Sequence, residues 1–408
     1  MSAMAATAPI ASQRRRILPR IPGRVYLFLS LYFGATWGTI LVLANGVIPG
    51  AALWVASLAA FTVVPVLLIL IRGGFGAAPG RAYRLFVLRP FWYLQLMLPL
   101  VAVAGMAGLA TGSLFGAGLL LGRGLAATAA LSLLALFAAG YAGSRRLVVR
   151  NVTAEIAKLP AGLDGTSIVQ LSDLHIGPHL PAKKLERIVD TVRALSPDII
   201  AVTGDLVDDH AEDTERYADA LGALEAPLGV YVIAGNHDIY AGWNDVAYRL
   251  KKRLGSHVLV NQSRTVTRNG ATLAIAGTGD PAAGHDAANG GVDISATLEH
   301  VPPGVPVLAL AHNPALWPAL AKRGVSLTLS GHTHWGQLAL PRISWSMASP
   351  FLEHAMGGYS EANSLLYINP GTGYWGLPFR LGAWAEITQV TLRTAQVTSM
   401  TVGAVRDT

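Results

Sequence analysis

The chain has no cysteine in its 408 residues, which excludes disulfides and thiolate metal sites. The redox compartment stays open, because the absence of cysteine is neutral between cytoplasm and periplasm. Charge is also scarce, at 13% of residues against 52% hydrophobic, with a mean hydropathy of +0.43. A chain this long and apolar holds two domains, and part of it belongs in lipid. Acid is missing altogether from the first 150 residues, which contain 13 Arg and no Lys; the first carboxylate is Glu155. The net charge of +7 therefore comes from the N-terminal part, while all 24 acidic residues lie beyond it. The C-terminal part is net negative, so it is not expected to bind nucleic acid.

Four charge-free runs approach the ~20 apolar residues needed to cross a bilayer core. They cover about Val25 to Leu43, Ala51 to Ile71, Phe91 to Leu109 and Leu125 to Ala142. None has the polar face that a water-exposed helix needs at a 3.6-residue period, which disfavours a soluble helical core. Basic residues alternate between loops. Arg14, Arg15, Arg16, Arg20 and Arg24 precede the first run, Arg72, Arg81, Arg84 and Arg89 follow the second, and Arg145, Arg146 and Arg150 follow the fourth; the other two loops hold Arg123 alone. Because basic loops stay on the cytoplasmic side, both the N-terminus and everything after Gly143 are expected in the cytoplasm, at the inner (cell) membrane. A competing reading takes Arg14 to Leu18 as a twin-arginine export signal, which the three further spans oppose. Trp37, Trp54, Trp92 and Tyr93 read as interfacial anchors, and the spans carry no ionisable residue that would mark an ion path. The expected layout is a basic arm (1–24), a four-helix transmembrane domain (25–143), a linker (144–166) and an α/β domain (167–400).

From Ser167 short β-branched runs alternate with helical stretches such as Lys183 to Leu195 and Trp243 to Leu254, the pattern of an α/β sheet. Each apolar run ends in polar residues: Asp173 and His175 after the first, Asp205 after the next, then Asn236, His237 and Asp238, then His312, and finally His332 and His334. Ligands gather at such strand ends in open α/β sheets. Residues two apart on an extended segment point the same way, so Asp173 with His175, and His332 with His334, can converge on one ion. Mixed imidazole and carboxylate donors suit Mn, Fe or Zn over Mg or Ca.

In that order, Asp173-Leu-His175, Gly204-Asp205, Gly235-Asn236-His237-Asp238, His312 and Gly331-His332-Thr333-His334 resemble the five-motif signature of the calcineurin-like metallophosphoesterases, over roughly Gly162 to Leu392. Ser172 to His175, Pro378 to Gly382 and Glu386 to Thr388 are similar to the bacterial membrane-associated branch. The resemblance implies a four-layer α/β/β/α sandwich and two divalent metal ions. Asp173, His175 and His334 would hold one ion and Asn236, His312 and His332 the other, with Asp205 bridging. It implies His237 as the catalytic histidine and Asp208 as the residue that orients it. The expected activity is metal-dependent hydrolysis of a phosphodiester, pyrophosphate or phosphomonoester, with lipid-linked substrates favoured by the anchor. Two other readings stay open: a tethered nucleotide or protein phosphatase, and a non-catalytic sensor or transporter with a metal-binding domain.

Other polar residues have bland readings beside sharper ones. His179, His210 and Asp209 read as solvated loop residues; His285, Asp280 and Asp286 read as loop residues or as a rim of the site. The apolar stretch Leu338 to Asn363, with His354 inside it, reads either as an excursion packed over the sheet or as a greasy lip that dips toward the bilayer.

Overall fold

The computed structural model describes residues 23–71, 81–177, 180, 182–216, 218–254, 257–284 and 286–408. The expectations placed on Arg14, Arg15, Arg16, Arg20, Arg72, His179 and His285 lie outside the described residues. Two compact units emerge, residues 1–134 and 135–408.

The first unit is helical, with helices at Gly23–Ala44, Ala51–Ile71 and Arg89–Ser113, and a fourth, Gly118–Gly143, that begins in it. Among the described residues, three apolar helical stretches are long enough to cross a membrane, at 27–44, 85–113 and 118–143. Those are three of the four expected spans; the remaining one is the 21-residue helix Ala51–Ile71, apolar over its described stretch Ala51–Val64. Two helices approach to backbone contact. A Cβ on Gly108 would lie 2.7 Å from the Gly122 Cα and from the Leu121 carbonyl, and one on Gly112 would lie 2.7 Å from the Ala117 carbonyl. Gly108 with Gly112, and Gly118 with Gly122, are spaced four apart, the small-residue pattern by which apolar helices pack without a hydrophobic driving force. Arg123 donates to the Leu43 and Asn45 carbonyls at 3.0 and 2.6 Å, satisfying the end of the first helix.

The second unit contains the strands β1 (Leu147–Ala157), β2 (Ser167–Leu171), β3 (Ile199–Thr203), β4 (Val230–Ile233), β5 (His257–Val258), β6 (Gln262–Arg268), β7 (Ala271–Gly277), β8 (Val307–Leu310), β9 (Leu327–Ser330), β10 (Ala339–Leu340), β11 (Trp345–Ser346), β12 (Gly357–Glu361), β13 (Ser364–Ile368), β14 (Ala385–Ala395) and β15 (Ser399–Asp407). Seven form one sheet in the order β15-β1-β14-β2-β3-β4-β5, and six form another in the order β12-β13-β9-β8-β7-β6. Ile168, Ile199, Tyr231, Ile275, Leu308, Leu329 and Tyr367 fill the space between the sheets. On the outer face of the larger sheet, Val169, Ile200 and Val232 pack against Ile188 and Val192 of the helix Ala182–Leu195 and Val246 and Leu250 of the helix Asn236–Leu254. Strands covered on both faces need apolar residues at every position, which is why β2, β3 and β4 read as continuous runs.

The strand β1 and the division between the units fall across the expected boundaries. The segment read as a linker, 144–166, contains β1, an 11-residue strand that pairs parallel with β14 from Leu147↔Ala385 to Ala157↔Ala395. Its partner is so distant in sequence that no local turn announces it. The helical region does not end at 143 as a unit: residues from Ala135 onward group with the α/β part.

Candidate metal centre

The loops after β2, β3, β4, β8 and β9 converge from both sheets on one place. Backbone bonds set their spacing: Asp173 N donates to the Gly204 carbonyl and His175 N to the Asp205 carbonyl, both at 3.0 Å, and Gly331 N donates to the His312 carbonyl at 3.0 Å. Asp238 ties the third loop to the second. Its carboxylate accepts from Gly235 N at 2.9 Å, Val207 N at 3.0 Å and Leu206 N at 3.2 Å. Burial and then the neighbouring Asp205 raise its carboxyl to about 6.

Backbone conformation is unusual at the converging residues. Asp173, His175, Asp205, His332 and His334 all have φ between 45° and 69°, so five of the seven candidate ligands sit in the left-handed region and not on the extended segments expected, and His332 and His334 turn toward different donors. Each such residue costs on the order of 1–3 kcal/mol and concentrates where function over-determines geometry. Glycines let the loops close up. A Cβ on Gly235 would collide with the Asp205 carboxylate, and one on Gly331 with Ser172 Oγ and the Asp173 carboxylate.

Two donor sets result. In one, His334 Nε2 lies 3.3 Å from Asp173 Oδ1 and 3.1 Å from His175 Nε2. In the other, Asn236 Oδ1 lies 3.2 Å from His312 Nε2 and 2.8 Å from His332 Nδ1. Asp205 stands between them, its Oδ2 3.3 Å from His312 Nε2 and 3.7 Å from His175 Nε2. All seven expected residues are thus brought together. The groups Asp173–His175–His334 and Asp173–Asp205–His312 each offer ligand atoms within 4.8 Å of one another. Burial alone would raise the Asp205 carboxyl, but His312 and His175 hold it far below the usual carboxylate range. Burial, with His175 and Arg380 nearby, keeps His334 well below the usual imidazole range. An ionised carboxylate and a neutral imidazole are the forms that ligate; burial opposes charge on His312 and His175, but the surrounding carboxylates raise both, so a cation bound there would displace their protons. Imidazole nitrogens that face each other and a carboxylate at such distances fit divalent cations of the Mn, Fe or Zn kind.

His237 stands beside this centre. Its backbone N–H donates to Asp205 Oδ1 at 2.8 Å, and its Nδ1 lies 2.8 Å from the main-chain carbonyl of Asp208. The Asp208 carboxylate is 3.8 Å from that Nδ1 but 3.3 Å from His175 Nδ1. The Asp208 backbone oxygen is thus the atom at hydrogen-bond distance from His237 Nδ1, while its carboxylate lies near both histidines and closer to His175.

Four further residues stand at or near the centre. The exposed rings of Tyr240 and Trp375 flank His237 at 5.8 and 6.0 Å. Asp280, after β7, is buried; one oxygen accepts from Ala282 N at 2.8 Å while Oδ2 has no protein partner, and its surroundings include His312 and His332. Arg380, fully buried, donates to the Pro370, Ala383 and Gly373 carbonyls at 2.6 to 2.8 Å, and its guanidinium lies 3.3 Å from His334 Nδ1. Asp280 is the residue expected at the rim and Arg380 lies in the Pro378 to Gly382 run, whereas Tyr240 and Trp375 belong to no motif. Asp209 and His210 are exposed, as is Asp286. His354 packs on the rings of Trp317 and Tyr359 at 5.1 and 4.9 Å.

The profile of the calcineurin-like phosphoesterases matches residues 166–336. The chain is similar to a transmembrane protein with metallophosphoesterase domain from Danio rerio, at 36% identity over 60% of this chain and 57% of that one. It is also similar to the uncharacterized metallophosphoesterase YkuE of Bacillus subtilis (strain 168), at 32% identity over 59% of this chain and 84% of that one. Among solved structures it is similar to a dimetal phosphatase from Danio rerio, at 13% identity and a TM-score of 0.36, covering 60% of this chain and 98% of that one. The chain spans 57% of the length of its Danio rerio and Bos taurus transmembrane relatives.

Proposed function

Because the chain belongs to the calcineurin-like phosphoesterase family, we propose that it is a membrane-anchored phosphoesterase with a binuclear centre, in which Asp173, His175 and His334 hold one divalent cation, Asn236, His312 and His332 hold the other, and Asp205 serves both. The observation that carries this reading is Asp205 Oδ2, within 3.3 Å of one donor set and 3.7 Å of the other. Bound there, such ions supply Lewis acidity toward phosphate oxygens and a water acidic enough to attack phosphorus near neutral pH.

The protein's own part is positional. Gly235 and Gly331 leave room for the carboxylates of Asp205 and Asp173 to reach the centre. The His237 main chain fixes Asp205 Oδ1. With its Nδ1 proton donated to the Asp208 carbonyl, His237 keeps Nε2 for the substrate, where it can stabilise developing charge or deliver a proton to the leaving oxygen. The phosphoester is drawn from the phosphodiester, pyrophosphate and phosphomonoester classes. Alternation of the basic loops supports a cytoplasmic catalytic unit at the inner membrane; a reporter fused at Thr408 that works only outside the cytoplasm reverses that side.

The test uses the full chain in detergent, stripped with a chelator. Hydrolysis of bis(p-nitrophenyl) phosphate should vanish, return with Mn²⁺, and saturate at two ions per chain by elemental analysis. Turnover that survives chelation, or saturation with a single ion, overturns the binuclear reading.

A further inference from the structure

The stretch from Leu338 to Leu352 carries one charged residue, Arg342. Its turn and short hairpin, β10 with β11, expose Leu340, Ile343, Met347, Phe351 and Leu352, with Ile343 69% and Phe351 80% accessible. The remainder of the expected lip does not share this character: Met356 is buried, His354 is packed against rings, and β12 pairs with β13. A soluble protein rarely leaves so many large apolar side chains together in water.

Three connections within the second unit tie this stretch to the end of an apolar helix and to the metal centre. First, Ala339 N donates to the Leu381 carbonyl at 2.9 Å and Leu381 N to the Gln337 carbonyl at 3.0 Å, so the lip is tied to the segment Phe379–Leu381. Second, that segment seats the end of the apolar helix Gly118–Gly143. Arg380 N donates to the Gly140 carbonyl at 2.9 Å, and the Phe379 ring packs edge-on to Phe137 at 5.6 Å, close enough that a Cβ on Gly140 would strike it. Arg146, just past the helix, lies over the Trp384 ring at 4.8 Å, an Arg and Trp pair suited to a headgroup layer. Third, Gln337 Nε2 donates to the Trp375 carbonyl at 3.1 Å, and the Trp375 ring stands beside His237. The chain thus runs from the end of a membrane-length helix, through the lip, to the edge of the metal centre.

We propose that the face bearing Ile343, Met347 and Phe351 seats in the headgroup and acyl boundary of the bilayer, with Arg342 among the phosphates, and that the substrate is a phosphoester carried by a membrane lipid. This rests on the phosphoesterase reading above and names its substrate class. Apolar side chains on a short surface segment with a flanking cation are the ordinary means of shallow insertion.

The absence of native cysteine makes the test direct. Single cysteines are placed at Ile343→Cys, Phe351→Cys and, as a remote exposed control, Val397→Cys (74% accessible). Each is labelled with an environment-sensitive fluorophore in the full chain, reconstituted in phosphatidylglycerol and phosphatidylethanolamine vesicles with brominated acyl chains. Quenching at 343 and 351 but not at 397 is expected. In parallel, the double variant Ile343→Ser, Phe351→Ser should lower the ratio of phospholipid to bis(p-nitrophenyl) phosphate hydrolysis about tenfold, equivalent to ~1.4 kcal/mol. No quenching at 343 and 351, or an unchanged ratio, overturns the proposal. A fluorescence shift that persists in lipid-free detergent and grows with protein concentration assigns the face to a second copy and overturns it too. Loss of hydrolysis toward both substrates in the unmutated protein strikes the phosphoesterase reading instead, since the quenching is read without turnover.

Discussion

Both units press backbone against backbone, yet the closeness does different work in each. Between the helices of the first, Gly108 meets Gly122 and the contact is only packing. In the second, Gly235 and Gly331 meet the carboxylates of Asp205 and Asp173, and the contact places chemistry. A membrane-type helix pair gains dispersion from any small residue and spreads that gain along its length. A ligand loop has no such tolerance, because a displacement of about 1 Å takes a donor atom out of reach of its ion. The same residue type therefore predicts graded loss in one unit and abrupt loss in the other.

The sharpest break is expected at the centre itself. His237→Ala should keep its metal by elemental analysis but lose ~10²–10⁴ in turnover, the range for removing a positioned acid. Asp205→Asn should instead lose the metal, with apparent affinity down more than ~100-fold. If Asp205→Asn were isolated with two ions per chain, the bridging role would be refuted. Gly235→Ala comes next. Its methyl falls on the Asp205 carboxylate, so metal affinity should drop ~10–100-fold while far-ultraviolet circular dichroism stays unchanged. Equal loss of metal and of secondary structure would place that glycine with the packing glycines.

Much of this contrast was legible beforehand, and the part that was not has a common cause. The seven candidate ligands were readable because ligation restricts residue type and because strands that end in donors repeat along the chain. The apolar runs are readable because charge inside a span is costly, although Arg123, expected in a loop, lies in the first turns of the helix Gly118–Gly143. By contrast, β1 took on the look of a linker because Arg150 pairs with Thr388 across a long separation. Arg380 gave no sign of reaching His334, nor Trp375 of standing beside His237, since each depends on how the loop after β13 closes over the site. The role of Asp208 split for the same reason. Type and spacing identified the residue, but not that its carbonyl faces His237 while its carboxylate faces His175.

That division can itself be tested, with a smaller effect. Asp208→Asn keeps the carbonyl at His237 and removes the charge of the carboxylate, which lies closer to His175 than to His237. The Mn²⁺ concentration for half-maximal activity should rise about tenfold, the lower end for a supporting partner of a ligand, with turnover at saturating Mn²⁺ close to that of the unmutated protein. A fall in saturated turnover without that shift would return the carboxylate to His237.

The least effect on hydrolysis should come from the helix pair. Gly108→Val puts a branched side chain where a Cβ already lies 2.7 Å from the Gly122 Cα, so the two helices must separate, at about 1–3 kcal/mol for an overpacked contact. Thermal unfolding of the helical unit in detergent should move down accordingly. Hydrolysis of a soluble diester should not, because Gly108 belongs to the unit that contains none of the seven candidate ligands. If the substitution lowered turnover on soluble substrate as much as Gly235→Ala does, the separation between packing and chemistry drawn from these glycines would be wrong, and the helices would have to be counted as part of the catalytic framework.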